Sequence, residues 1–179
     1  MLSSDSAICL ITCSLITGVT EQADNSTLEK YCYNDDASSE CATYGGLYQW
    51  GEAMQYSVAG GAQGICPTGW HIPTDHELYI LEHYLTDSPN TCDGSRFSAA
   101  DCDPAGTKLK VGGSSGFEAI LVGARESNGS FSGQGTYTNF WSSTNSSQNA
   151  YRRLLDSNST VYRDSSEQIL GFSIRCLQN

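Results

Sequence analysis

Hydrophobic residues recur at the spacing of a helix face in the second quarter of the chain. Leu47, Trp50 and Met54 lie on one such face, which predicts a first helix that Gly60-Gly61 ends. The segment that follows, residues 64–73, contains apolar residues flanked by prolines, which predicts a short strand.

A second helix has the clearest start signal in the chain. Thr74 and Glu77 match the capping-box pattern, in which each side chain binds the backbone N–H of the other residue. A stripe of leucines follows on one face, so we expect this helix to span about residues 75–86. The stripe consists of Leu78, Leu81 and Leu85.

Short apolar runs separated by turn residues come next, a pattern typical of β-strands. They lie around residues 117–122, Phe131, 136–141, 151–155, 160–163 and 172–176. Two helices followed by a series of strands is an α+β order. At 179 residues the chain has the length of one domain, so we expect a single α+β domain over residues 1–179.

The apolar run at residues 7–19 predicts a strand at the start of that domain. Residues 1–19 are interpreted as this N-terminal strand region. No Lys or Arg precedes the run, Asp5 lies there instead, and the run is too short to cross a bilayer. We therefore expect neither a signal peptide in this chain nor membrane insertion.

Charge and cysteine content narrow the class of protein. The formal net charge of −11 at pH 7 repels phosphate backbones, so nucleic acid is not an expected partner. The eight cysteines lack a pair of CxxC spacings, which favours disulfides in an oxidising, extracellular or cell-surface compartment over zinc. Although many connectivities are open, we expect Cys32–Cys41, Cys92–Cys102 and Cys66–Cys176, which leaves Cys9 and Cys13.

The sequence contains no recognisable catalytic constellation. His76 and His83 lie on the second predicted helix, but a zinc protease helix requires histidines four positions apart. His71 is interpreted as a packed, hydrogen-bonded residue, and the Gly-x-Ser-x-Gly motif is absent. We therefore expect a protein that is not an enzyme and that has no cofactor.

The polar loop at residues 87–106 contains several acidic residues that could bind a structural calcium ion. Carboxylate oxygens are ligands that calcium prefers, but the spacing here matches no known cage. A solvated acidic loop is the favoured interpretation. The carboxylates are those of Asp87, Asp93, Asp101 and Asp103.

The C-terminal segment, residues 140–176, has the composition of a recognition surface. Ser and Asn offer adaptable hydrogen bonds, and Tyr and Arg offer large contacts at low entropic cost. Alternation along the predicted strand places Arg153 and Leu155 on one face and leaves Arg152 and Leu154 on the other. Tyr162, in the next strand, is expected on the same face as Arg152 and Leu154.

Four sequence blocks resemble the Fibrobacter succinogenes major paralogous domain and come in that family's order. The blocks are YGGLYQW at residues 44–50, CPTGWHIPTD at 66–75, FWSST at 140–144 and GFSIRC at 171–176. This resemblance implies a C-type lectin-like fold, in which two helices and a small twisted antiparallel sheet support a loop-rich half.

Within that group, residues 28–34 and 44–56 look most like variable proteins of diversity-generating retroelements. Such elements copy a template with errors at adenines, so that the protein acquires a diversified surface that binds a protein or another macromolecule. By this resemblance the scaffold residues would be Trp141, Arg153, Leu155, Val161, Arg163, Gly171, Phe172 and Cys176. The varied, ligand-binding residues would be among Asn145, Ser146, Ser147, Arg152, Leu154, Asp156, Ser157, Ser159, Tyr162, Asp164, Ser165, Ser166 and Leu170.

The alternative is a static cell-surface adhesion or carbohydrate-binding module of the same fold, because polar surface strands of a static domain have a similar composition. Sugar-binding C-type lectins use Glu-Pro-Asn or Gln-Pro-Asp followed by Trp-Asn-Asp. Ser88-Pro89-Asn90 and Trp141-Ser142-Ser143 stand in their place here. We therefore do not expect calcium-dependent sugar binding.

Overall fold

The computed structural model describes residues 2–3 and 13–179, and of residues 2–3 it describes the backbone alone. The described helices are α1 (Glu40–Tyr44), α2 (Trp50–Ala53), α3 (Asp75–Leu85) and α4 (Ala105–Leu109). The strands are β1 (Leu2–Ser3), β2 (Ser14–Leu15), β3 (Glu29–Lys30), β4 (Trp70–His71), β5 (Ala99–Asp101), β6 (Ala124–Arg125), β7 (Phe131–Ser132), β8 (Thr138–Ser146), β9 (Asn149–Leu155), β10 (Val161–Glu167) and β11 (Cys176–Gln178). The protein is thus an α+β structure, as predicted.

The predicted capping box opens α3. The Thr74 hydroxyl accepts a hydrogen bond from the Glu77 backbone N–H at 3.2 Å, and the Glu77 carboxylate accepts one from the Thr74 backbone N–H at 2.8 Å. Leu78 and Leu85 are buried on the inner side of the helix. The prediction for this helix is confirmed, because the start signal depends only on residues three positions apart.

The first predicted helix is much shorter than its hydrophobic pattern indicated. Only α2 is helical, whereas Leu47 exchanges two backbone hydrogen bonds with Tyr31, at 2.9 and 3.0 Å. Leu47, Trp50 and Met54 are all buried, so the pattern correctly marked core residues. The helix extent was wrong because pairing with Tyr31 holds Leu47 in an extended conformation.

A four-stranded antiparallel sheet in the order β5-β10-β9-β8 forms the largest element of the fold. A second sheet has the order β1-β11-β4, and β2-β3 and β6-β7 form two-stranded pairs. The strand predicted at residues 117–122 is wrong, since this segment contributes only an isolated bridge between Ala119 and Lys110. The strand predicted at residues 172–176 begins only at Cys176.

The predicted N-terminal strand is described only in part. Ser14–Leu15 forms β2, which runs parallel to β3. Residues 7–12 of the predicted run lie outside the described residues. None of the helices in the described part of the chain has the length and apolar character that crossing a bilayer requires.

The core has two main hydrophobic clusters, one on each side of the edge strand β8. The first surrounds Trp141 and Phe172, whose ring centroids are 4.3 Å apart. The second lies between the four-stranded sheet and the helices α3 and α4, and includes Leu85, Phe140 and Leu155. β8 is therefore packed on both faces, whereas Leu154 of β9 and Tyr162 of β10 are only half-buried.

Three predicted disulfides are confirmed: Cys32–Cys41, Cys66–Cys176 and Cys92–Cys102. Cys66–Cys176 belongs to the first cluster and Cys92–Cys102 to the second. Cys13 is also disulfide-bonded, and Cys9 lies outside the described residues. Disulfides persist in oxidising environments, so these bonds indicate such a compartment.

Candidate functional site

The strands β9 and β10 separate the C-terminal segment into two faces. Tyr162 pairs with Leu154 and Asp164 pairs with Arg152, so these four side chains lie on the same face. Asp156, directly after β9, continues the alternation. We call these five residues the outer face. The opposite, inner face carries Arg153, Leu155, Val161 and Arg163 and contacts α3.

The two classes of residue that the resemblance implied differ in burial. The eight residues assigned to the scaffold are all buried: Trp141, Arg153, Leu155, Val161, Arg163, Gly171, Phe172 and Cys176. Of the residues assigned to the varied surface, none is buried, and three are exposed: Asn145, Ser147 and Ser157. The others are half-buried.

A pocket of about 190 Å³ opens on the outer face. Leu154, Asp156 and Tyr162 line it, so the structure brings together three of the varied-site candidates. Three residues complete the lining: Ala100, Asn158 and Thr160. Ala100 comes from the edge strand β5, where it pairs with Tyr162.

Arg152 is more constrained than its place on the outer face suggested. Its guanidinium donates to the Asn139 side-chain oxygen at 2.8 Å and to the Ser166 hydroxyl at 2.7 Å. Asp164 lies 3.8 Å from the guanidinium, and the Tyr162 ring centroid lies 5.6 Å from it. Burial lowers the pKa of Arg152, although the Asp164 charge opposes this. Arg152 therefore positions Tyr162 and Asp164 rather than extending freely into solvent.

The remaining varied-site candidates lie away from the pocket. Asn145, Ser146 and Ser147 form the end of the β8–β9 hairpin, where Gln168 donates to the Asn145 side chain at 3.2 Å. Leu170 packs against the first core cluster. Ser165 alternates onto the side of Arg163, and Ser159 belongs to the turn that contacts Gly106 of α4. The candidate set thus does not form one continuous surface.

A network of buried ion pairs lies directly beneath the outer face. Glu82 of α3 accepts hydrogen bonds from Arg153 and, at 2.5 Å, from Arg96. Asp75, at the first position of α3, binds Arg153 at 2.6 Å and Arg163 at 2.7 Å. Arginines from β9, β10 and the loop before β5 are thereby joined to one helix.

Asp75 is ionised within this network. Burial of the carboxyl group favours its neutral form, but hydrogen bonds and charges from Arg163 and Arg153 outweigh that effect and lower its pKa. Arg163 has a raised pKa because Asp75 outweighs the effect of burial on its own charged form. Both groups therefore remain charged at neutral pH.

Several acidic residues of the loop at 87–106 are engaged by protein groups. Asp87 binds Lys108 at 2.6 Å, and Asp101 accepts backbone N–H groups from Asp93 and Cys102. In residues 13–179 no three His, Cys, Asp or Glu side chains are grouped so as to hold a metal ion. The expectation that the protein lacks a cofactor stays a prediction.

A larger groove of about 570 Å³ lies between α3 and β11 and is lined by Pro73, Leu78, Leu81 and Leu177. Its polar residues already have partners: Glu77 closes the α3 capping box and Ser115 donates to the Lys108 carbonyl. Ligand sites combine apolar walls with polar groups that converge on the ligand. Among the residues that line the groove only Glu77 and Ser115 have polar side chains, whereas the outer face carries four: Arg152, Asp156, Tyr162 and Asp164.

Sequence reasoning missed the contribution of β5 and the ion-pair network. Ala99–Asp101 lies in a segment rich in Asp, Gly and Pro and has no alternating pattern that predicts a strand. Asn158 and Thr160, which line the pocket, lie between varied-site candidates in the sequence but carry no signal that predicts this role. The only signal for the network was the presence of Arg at inward positions of β9 and β10, where apolar residues are more usual.

Comparison with known proteins is consistent with these features. A sequence model of the Fibrobacter succinogenes major domain matches residues 11–178. No curated protein matched the chain significantly, and neither did any solved structure. The match includes both core clusters and all three described disulfides. The chain therefore belongs to the Fibrobacter succinogenes major domain family.

Proposed function

We propose that this protein is a non-enzymatic recognition module with a C-type lectin-like fold, and that it is the variable protein of a diversity-generating retroelement. Its outer face, together with the β8–β9 hairpin end, binds a protein or another macromolecule outside the cell or at its surface. The described disulfides support such a compartment.

The observation that carries the proposal is the match between burial and the two classes of residue. Side chains assigned to the scaffold are buried, and side chains assigned to the varied surface are exposed or half-buried. Positions at which a diversified protein varies must lie outside the core. Substitutions at the surface lower the free energy of unfolding far less than substitutions in the core do. The outer face apart from Arg152 is free to change in this sense.

The inner ion pairs support the same mechanism. Recognition by a rigid scaffold requires that the backbone keeps its position when outer side chains change. Asp75 and Glu82 hold Arg153 and Arg163 through side chains that point away from the outer face. A sequence change at Leu154 or Tyr162 therefore leaves the contacts that fix the sheet in place.

Two matched libraries test whether this face tolerates diversification. The first randomises the outer residues Leu154, Asp156, Tyr162 and Asp164, and the second randomises the inner residues Arg153, Leu155, Val161 and Arg163. We expect most members of the first library, and few of the second, to be folded. Cooperative unfolding in thermal melts identifies the folded members. Equal loss of folding in both libraries would contradict the proposal.

Sequencing the surrounding locus tests the retroelement directly. We expect a reverse transcriptase gene and a near-copy of the bases that encode the C-terminal segment, with differences concentrated at adenines. Absence of both would exclude diversification and leave a static module. A glycan array with and without chelator then distinguishes static sugar binding, which we do not expect, from binding to proteins.

A further inference from the structure

The pocket on the outer face has the size of a site for one side chain. Pockets for drug-sized ligands have volumes of about 300–1,000 Å³. The pocket beneath Leu154 and Tyr162 has a volume of about 190 Å³. It therefore suits a single protruding group of a protein partner rather than an entire small molecule.

The walls of the pocket match a long side chain with an apolar stem. Ala100 and Leu154 provide aliphatic surface, and Tyr162 provides an aromatic ring. Stems of Lys and Arg pack on such surfaces while their charged ends remain at a polar rim. A cation can also be held over the face of a tyrosine ring.

The rim of the pocket determines which charge it favours. Asp156 is the only Asp, Glu, Lys or Arg among the lining residues. Its carboxylate accepts hydrogen bonds from the backbone N–H and the side-chain amide of Asn158, both at 2.8 Å, which hold it at the rim. Carboxylate oxygens can each accept more than one hydrogen bond, so Asp156 retains capacity for a cationic partner.

Nearby cations do not occupy the pocket. The Lys110 ammonium binds the main-chain oxygens of Asp156 and Asn158, both at 2.6 Å, and Lys110 is not part of the pocket lining. The Arg152 guanidinium is held by Asn139 and Ser166. The net charge of −11 adds a long-range attraction for basic surfaces.

We infer that this pocket binds the cationic side chain of a Lys or Arg presented by a protein partner. The stem packs between Leu154, Ala100 and the Tyr162 ring, and the charged end pairs with Asp156. The inference rests on the proposed recognition function of the outer face and assigns its partner chemistry.

Binding of small probes tests the inference without knowledge of the partner. Nα-acetyl-arginine amide is titrated into the full chain and followed by NMR at the Ala100 and Leu154 methyl groups and the Tyr162 ring. The control probe is Nα-acetyl-citrulline amide, which has nearly the same shape but no charge. We expect saturable shifts with the arginine probe and binding of the citrulline probe that is weaker by about threefold to tenfold.

Two matched variants assign the effect to the pocket carboxylate. Asp156→Asn removes the charge but keeps an oxygen for the Asn158 backbone N–H. We expect it to lower the affinity for the arginine probe by about threefold to tenfold. Glu167→Gln removes one charge from an exposed residue outside the pocket and should leave the affinity unchanged. Thermal melts establish that both variants remain folded.

Several outcomes would overturn the inference. These are the absence of saturable shifts at the pocket, equal affinity for the two probes, and an equal loss of affinity for the arginine probe in Asp156→Asn and Glu167→Gln. Tighter binding of a neutral aromatic probe would overturn the cationic assignment as well. Failure here leaves the result of the library experiment unaffected, so the partner chemistry and the recognition function are tested separately.

Discussion

Single residues in the C-terminal segment have sharply different environments although their sequence neighbours are similar. Trp141 is 1% exposed, and its indole N–H donates to the Tyr48 carbonyl at 2.9 Å. Trp50 makes the corresponding bond to the Ser142 carbonyl at 2.8 Å, so two indoles join residues 48–50 to β8. Leu154 is apolar but faces outward and is only half-buried.

We expect replacement of Trp141 by Ala to cost about 3–5 kcal/mol of unfolding free energy, because it removes a buried aromatic ring. Leu154→Ser and Tyr162→Ser should each cost about 1 kcal/mol or less, since these side chains already contact solvent. Urea denaturation of the three variants measures the difference. Similar losses in all three would mean that the segment is core and that the recognition proposal fails.

Arg152 departs from the behaviour of its neighbours on the outer face. Its guanidinium makes two hydrogen bonds, and its side chain is only 13% exposed. Hydrogen bonds that involve a charged group contribute about 1.5–3 kcal/mol. We therefore expect Arg152→Ala to destabilise the protein by about that amount in urea denaturation, clearly more than Leu154→Ser. A loss below about 0.5 kcal/mol would show that these bonds are not maintained in solution.

At the level of elements, α3 is joined to the four-stranded sheet by charge as well as by apolar packing. Its inner side carries Leu78 and Leu85 together with Asp75 and Glu82. Buried ion pairs contribute little net stability, but removal of one partner leaves an uncompensated charge. We therefore expect the network to matter more for the position of the helix on the sheet than for net stability.

Glu82→Gln is expected to destabilise the fold by about 3–5 kcal/mol, because Arg96 would remain charged and buried without a carboxylate, while Arg153 would keep only Asp75. Glu167→Gln is the matched control, since this carboxylate is exposed at the end of β10 and its loss should change stability by less than about 0.5 kcal/mol. Chemical denaturation compares the two. Equal effects would indicate that the network is open to solvent.

The Asp75 carboxylate gives this network a predictable response to acid. Its pKa in the folded protein is lowered, against about 3.9 in an unfolded chain, so the folded state binds fewer protons. The stabilisation is complete above the unfolded pKa and is lost as the pH falls through the folded pKa. We expect the Asp75→Asn variant to be less stable than the unsubstituted protein at neutral pH. Between about pH 5 and 2 it should lose less stability than the unsubstituted protein does. Parallel curves of unfolding free energy against pH would contradict this.

For the molecule as a whole, the disulfides differ in the length of chain that they enclose. Cys66 and Cys176 are separated by 110 positions, whereas Cys32 and Cys41 are separated by 9. In the chain-entropy model a disulfide that closes a loop of roughly 100 residues stabilises the folded state by about 4.7 kcal/mol. A disulfide that closes a loop of roughly 15 residues stabilises it by about 3 kcal/mol. The long link also joins the segment before α3 to the last strand.

Loss of the long disulfide should therefore have the larger effect. We expect the double variant Cys66→Ala and Cys176→Ala to cost about 2–5 kcal/mol, and more than the double variant Cys32→Ala and Cys41→Ala. Thermal and chemical denaturation under oxidising conditions measure both. Peptide mapping without reductant provides the independent test of connectivity, and free thiols at Cys66 and Cys176 would contradict the structure.

The sequence alone determined the features that depend on neighbours along the chain. The capping box of α3 involves residues three apart, and the alternation of β9 and β10 is a property of any extended strand that has one covered face. Two of the three confirmed disulfides close short loops. The four blocks that resemble the family were sufficient to predict the family itself.

Tertiary structure decided whatever depends on distant partners. Leu47 is not helical because its backbone pairs with that of Tyr31. Ala99–Asp101 forms the strand β5 because it pairs with β10. Asp75 meets Arg163 across 88 positions, a contact that no local pattern encodes. The pocket arises in the same way, since β5, β9 and β10 meet only in the folded sheet. Local sequence sets which face a side chain occupies, whereas the packing of separate segments sets what that face can bind.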